Sequence, residues 1–147
     1  MGQGTSSLQT DEEKTIAQKI LRMYPYLEHL EEPLTLVDLR IDEQPLVYVN
    51  DTFVKMTLYP RSEIIGKNCR FLQGRFTNRE SVARMRKAIE DGVALDVELL
   101  NYRKDGIPFW NNCLLLPFWM DEEMCGKGKP SHFLGVQKDV TFIRPEL

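Results

Sequence analysis

The hydrophobic positions of this chain change period along its length, and those changes mark its elements. Thr10-Asp11-Glu12-Glu13 has the form of a capping box, in which the Thr10 hydroxyl and the Glu13 carboxylate accept from backbone N–H groups at a helix start. Ile16, Ile20, Leu21, Tyr24 and Leu27 follow near helical spacing. A helix is therefore predicted over residues 10–30, kinked or cut at Pro25, which lacks an N–H. Beyond Pro33 the pattern changes. Leu34-Thr35-Leu36-Val37 and Leu46-Val47-Tyr48-Val49, joined by a polar turn from Asp38 to Gln44, predict two strands of a hairpin. Asn50-Asp51 suits the cap of a short helix carrying Phe53 and Met56. Pro60 and Gly66 suit the start and end of another. Thr77 to Glu80 has the form of a second capping box. It opens a helix with Val82, Met85 and Ile89 on one face and Gly92 at its end.

Alternation with period two governs the C-terminal half. Leu95, Val97, Leu99 and Asn101 share one face of a strand. Phe109, Asn111, Cys113 and Leu115 share a face of the next, and Phe133, Gly135 and Gln137 a face of the last. If these faces coincide, the carboxamides of Asn101, Asn111 and Gln137 converge on one apolar surface, with Gly135 leaving room for something flat. For Asn101 and Asn111 to share a face, paired residue numbers must sum to an even number. That favours an odd-length loop through Lys104-Asp105-Gly106, with Gly106 in the left-handed region, over a two-residue Asp-Gly turn. The connection from Met120 to Ser131 is longer and glycine-rich, and reads as a mobile surface loop carrying Cys125. The opposite faces carry Leu100, Tyr102, Trp110, Leu114, Leu116, Leu134 and Val136, more apolar surface than a soluble monomer leaves open. The N-terminal helix, a second copy of the chain, or both are expected to cover it.

Composition narrows the classes of function. The chain's 147 residues fit one domain with a real core, and 42% hydrophobic and 28% charged residues are ordinary for a soluble protein. A net charge of -3 lacks the basic footprint of a nucleic-acid binder. No apolar run approaches the ~20 residues of a membrane span, and no signal peptide is visible. Cys69, Cys113 and Cys125 are odd in number, far apart and without metal-ligand spacing, which reads as a reducing, cytoplasmic compartment. His29 and His132 are isolated, so no zinc site is expected. Met1-Gly2-Gln3-Gly4-Thr5-Ser6 has the form of an N-myristoylation signal. It has no polybasic partner, and a single acyl chain anchors weakly, so residues 1–9 are read as a disordered tail.

The three inward amides carry the candidate chemistry. A carboxamide offers donors and an acceptor, and three of them on an apolar face are hard to read as ordinary strand amides. They suit a flat ligand edge that alternates an N–H with carbonyls, as the pyrimidine edge of a flavin does.

The segment Gly66-Lys67-Asn68-Cys69-Arg70-Phe71-Leu72-Gln73-Gly74 resembles, almost letter for letter, the flavin-binding signature of LOV (light-oxygen-voltage) domains, the blue-light-sensing branch of the PAS family. The resemblance continues through Asn101-Tyr102-Arg103-Lys104-Asp105-Gly106, Phe109-Trp110-Asn111 and Phe133-Leu134-Gly135-Val136-Gln137, and covers roughly residues 33–143. It implies an α+β PAS fold: a five-stranded antiparallel sheet with helices on one face enclosing a flavin, plus an N-terminal helical cap over residues 10–32 and a short tail over 144–147. By the same resemblance Cys69 matches the cysteine that adds reversibly to flavin carbon C4a under blue light. Arg70 and Arg86 match the arginines that grip the phosphate of FMN, and Asn68 and Gln73 match residues near the ribityl chain and phosphate. Asn101 and Asn111 match the amides at the pyrimidine edge. Gln137 matches the glutamine whose amide rearranges when flavin N5 is protonated. Leu72, Val82, Met85, Ile89, Leu115 and Phe133 match pocket walls.

Three positions depart from the commoner plant-type pattern: Val37 for threonine, Gln44 for asparagine, and Cys113 for a bulky apolar residue, often phenylalanine, beside the ring. Val37 and Gln44 bear on ribityl or gateway contacts, and so on adduct lifetime more than on flavin binding. Cys113 is read first as a small apolar core residue. The implied function is a short LOV photosensor, or a fragment of a larger receptor. It is not an enzyme, and is expected to act as a homodimer and through a downstream protein effector. Two rivals stand beside it: a flavin-dependent redox enzyme using Cys69 and Cys113, and a PAS interaction module with a different ligand or none.

Overall fold

The computed structural model describes residues 10–29 and 31–144. The acylation-like motif, the rest of the N-terminal tail and residues 145–147 lie outside the described residues. Helix α1 (Asp11–Met23) opens on the expected capping box, with Thr10 N donating to Glu13 Oε1 at 3.2 Å and Glu13 N to Thr10 Oγ1 at 3.1 Å. Pro25 does end it, and a short 3-10 turn (Pro25–His29) follows. Strands β1 (Leu34–Asp38) and β2 (Leu46–Val49) form the first hairpin. Asn50 caps α2 (Asp51–Thr57) through Phe53 N, and the same oxygen accepts from Leu34 N at 2.9 Å, tying helix to strand. α3 (Arg61–Ile64), a 3-10 turn (Cys69–Leu72) and α4 (Arg79–Asp91) complete the helical layer, and Gly92 closes α4 at φ +68°.

The second capping box does not form. α4 starts at Arg79 with Asn78 as its N-cap, and no side chain caps it. The Thr77 hydroxyl is used elsewhere: it accepts from Gly74 N at 2.9 Å and donates to Leu100 O at 2.7 Å. The Asn78 amide bridges to Glu98 O and Leu100 N. Tertiary bonds to the neighbouring strand have displaced the local cap.

β3 (Leu95–Tyr102), β4 (Pro108–Phe118) and β5 (His132–Asp139) join the hairpin in one antiparallel sheet of order β2-β1-β5-β4-β3. Asn101 pairs with Phe109 and Leu99 with Asn111, so both asparagines face the same way. The connection is the odd-length loop that parity favours, with Gly106 at φ +86° and its N–H bonded to Arg103 O. The loop after β4 includes a 3-10 turn (Glu122–Met124) and leaves Cys125 exposed.

The two faces of the sheet are covered differently. On the outer face Ile16, Ile20 and Leu27 pack with Leu34, Leu36, Tyr48, Phe118 and Leu134. Each fully buried aliphatic side chain contributes roughly 1.5–3 kcal/mol relative to exposure. Leu21, placed on the same stripe by its spacing, is instead 37% exposed. Over β3 and β4 the chain after β5 turns back. Trp110 N donates to Thr141 Oγ1, and the Arg144 guanidinium lies 4.0 Å from the Trp110 ring centre and pairs with Glu98. On the inner face two clusters, one around Phe53, Ile64 and Leu72 and one around Val97, Leu115 and Phe133, leave a space between sheet and helices. Among the described residues no helix is long and apolar enough to cross a membrane.

Candidate functional site

That space is a cavity of about 540 Å³, within the range usual for small-molecule sites. Its floor is the inner face of the sheet: Thr35, Val37, Leu99, Asn101, Asn111, Cys113, Leu115, Phe133, Gly135 and Gln137. Phe53, Leu72, Val82, Met85 and Ile89 wall it. Asn68, Cys69, Gln44, Gln73 and the exposed Arg70, Arg79, Arg86 and Glu90 line the rest. Every residue that the sequence reading marked for the site therefore borders one cavity. Thr35, Phe53, Arg79 and Glu90 border it too, and that reading did not mark them.

The amides form a chain across the floor. Asn111 Nδ2 donates to Asn101 Oδ1 and to Gln137 Oε1, each at 3.0 Å, and Gln137 Nε2 donates to Thr35 Oγ1 at 3.0 Å. All four residues are buried. One atom is left over: Asn111 Oδ1 is buried with no hydrogen-bond partner. Buried acceptors are nearly always satisfied, and leaving one bare costs about 1–3 kcal/mol. A cavity-bound N–H would satisfy it. Gly135 is required where it stands, since a Cβ there would lie 2.5 Å from Thr35 Oγ1 and 3.3 Å from Gln137 Nε2. Any larger residue would break the Thr35–Gln137 bond.

Cys69 begins its 3-10 turn just after Asn68, whose Oδ1 accepts from Arg70 N at 2.9 Å and whose Nδ2 donates to Glu43 O at 2.6 Å. Burial pushes the Cys69 thiol up to about 12, so at neutral pH it is a thiol and not a thiolate. Burial, and then the neighbouring Cys69, push the Cys113 thiol up as well. At the exposed end, Arg70 is paired with Glu43, and Arg79 Nη1 donates to Gln73 Oε1 at 3.3 Å. Glu43 and Gln44 both sit in the left-handed region, at φ +69° and +47°, an uncommon backbone for residues other than glycine. Among the described residues no group of three or more His, Cys, Asp or Glu side chains is placed to hold a metal. His132 lies on the outer face, buried beside Asp38 and away from the cavity lining.

The arrangement offers a flat, amide-edged pocket, a protonated thiol on its wall and cationic side chains at its solvent end. A family model described as a PAS domain matches residues 35–142. Over 107 residues, 73% of this chain, the sequence is 42% identical to blue-light-activated histidine kinase 2 of Erythrobacter litoralis. The chain spans only 30% of that kinase's own length. Among solved structures, the LOV domain of the Erythrobacter litoralis EL346 blue-light activated histidine kinase matches with TM-score 0.69 and 41% identity, covering 77% of this chain and 99% of that one. A structure titled for a flavin analogue and the light-oxygen-voltage domain mechanism matches with TM-score 0.73 and 36% identity, covering 85% and 93%. The chain belongs to the LOV branch of the PAS-domain family.

Proposed function

We propose that this chain is a blue-light photoreceptor that holds FMN in the 540 Å³ cavity and bonds it reversibly through Cys69. The observation that carries the reading is the placement of the Cys69 thiol on the wall of the same cavity as the bare acceptor Asn111 Oδ1. The residues fit the cofactor. Asn111 Oδ1 would accept from a ring N–H, Asn101 and Asn111 would hold the edge that carries the ring carbonyls, and Gly135 leaves room on the floor for a flat ring. The guanidinium groups of Arg70 and Arg86 are suited to a phosphate, which they can grip bidentately.

When bound, the flavin supplies blue absorption and, once excited, the ring carbon C4a at which sulfur adds. Cys69 contributes both the sulfur and the proton, because its thiol is protonated over the whole neutral range. The thiol proton would leave Cys69 as that bond forms and would return to it with the sulfur in darkness. Gln137 would be the side chain that responds to the change at the ring. Its Nε2 is already held by Thr35 and its Oε1 by Asn111, so a new donor at the ring favours turning the amide over. β5 carries Leu134 and Val136 on its other face, against the α1 layer, which gives the turn a route to the outer face. We assign the output to α1 packing and to contacts between two copies of the chain. The free cysteines fit a reducing cytoplasm.

Absorbance tests this directly. The purified protein is expected to show a three-peaked blue band that bleaches on illumination and recovers in darkness, and Cys69→Ala is expected to keep the band without that bleaching. A colourless protein that stays empty in excess FMN would overturn the reading, as would identical bleaching in the variant.

A further inference from the structure

We propose that Arg79 is a third phosphate-gripping residue of this site and sets its preference for a flavin that carries a terminal phosphate. The proposal rests on the flavin reading above. Arg79 and Arg86 are seven residues apart on α4, two turns and about 10.5 Å of rise, so their side chains leave the same helix face. Both line the cavity together with Arg70. The three guanidinium groups differ in how they are committed. Arg70 is already paired with the Glu43 carboxylate. Arg79 donates to the neutral Gln73 oxygen at 3.3 Å, a long and weak bond, and among the described residues neither Arg79 nor Arg86 is in an ion pair. Glu90, one turn beyond Arg86, is the one carboxylate among the described lining residues.

This end of the cavity therefore carries more cationic than anionic charge. A phosphate monoester, near two negative charges at neutral pH, offers enough acceptors for several guanidinium groups at once. Two arginines on one helix face converge on one anion from the α4 side, while Arg70 approaches from the Cys69 turn. A flavin without phosphate gains nothing from these three guanidinium groups. Arg79 thus contributes to discrimination between flavins and not to grip on the ring.

Flavin binding to the apoprotein, followed by fluorescence quenching, tests this with FMN and riboflavin as the probes. Arg79→Gln is expected to weaken FMN roughly 5- to 10-fold, to leave riboflavin within about 2-fold, and to flatten the salt dependence of FMN binding. Arg79→Lys is expected to recover part of the loss. Arg86→Gln serves as the phosphate-site reference, and thermal melts of the apoproteins check folding. An unchanged FMN-to-riboflavin ratio in Arg79→Gln, while Arg86→Gln lowers it, would overturn the proposal. Equal weakening of both flavins would also overturn it, since that marks a structural role. Wild-type protein that binds neither flavin overturns the flavin reading instead.

Discussion

At the scale of single residues, the three cysteines stand in three environments, and their chemistry should separate accordingly. Cys125 is exposed, while burial raises the thiols of Cys69 and Cys113. Only the thiolate is nucleophilic. Moving a thiol from the usual 9.0 to about 12 lowers its thiolate fraction at pH 8 by about 10³. Iodoacetamide at pH 8 is therefore expected to modify Cys125 in the native protein and to spare the other two until the chain is unfolded, as read by peptide mass. Cys69 is half-buried, so its sparing rests on the raised thiol, and fast native modification there would contradict that shift. The same shift has a stability consequence of definite sign. The folded pKa lies above the unfolded one, so the contribution is whole below pH 9 and is lost as pH rises toward 12. The proposed photochemistry would not need a low pKa, because in it Cys69 brings its proton with its sulfur.

At the scale of elements, α1 is held to the domain by a buried charge as well as by its apolar stripe. Arg61 on α3 is almost fully buried, as is its partner Glu13, with Nη1 to Oε2 at 3.1 Å. The guanidinium also contacts Asp51 at 2.5 Å and Val49 O. Glu13 thus closes the capping box with one oxygen and meets Arg61 with the other. Removing one partner of a buried pair is more costly than the pair is worth, because the other charge is left without water. Glu13→Ala is expected to lose about 2–4 kcal/mol in urea unfolding. The exposed neighbour Glu12→Ala is expected to lose under about 1 kcal/mol, and equal losses would show that the buried pair adds nothing. The box itself was legible in the chain, since its bonds join residues three apart; its link to Arg61, 48 residues away, was not. The same boundary recurs elsewhere. The face shared by Asn101 and Asn111 followed from strand parity. Thr77 looked like a cap because its competitors, Gly74 N and Leu100 O, are tertiary. Thr35 reads as a common strand residue until Gln137 arrives from 102 positions away. Arg79 sits a helical repeat before Arg86, but its place on the cavity lining with Arg70 is visible only in the fold.

At the scale of the whole molecule, the sheet separates the cavity from the surface that the proposed function assigns to signalling. α1 covers the outer surface of β1, β2 and β5, and the segment after β5 lies over β3 and β4 with Phe142 80% and Ile143 60% exposed. Large apolar side chains of this kind beside the partly covered Trp110 are suited to a second copy of the chain. A light signal has to bias an equilibrium between two packings, since proximity to the cofactor is not itself a switch. Its size is bounded by what turns over. Exchanging one amide hydrogen bond at Gln137 is worth about 1 kcal/mol net, which shifts a population or a dimer Kd roughly 5-fold. The protein is therefore expected to dimerise, with a dissociation constant that differs about 5-fold between dark and steady illumination, measured by light scattering across a concentration series. In Cys69→Ala the two values should coincide. A monomer of unchanged size in both conditions would remove the dimer contacts from the output and leave α1 alone to carry it. A shift much beyond tenfold would require more groups to move than one amide, and the further candidates are Thr35 and Asn111, the two residues bonded to it.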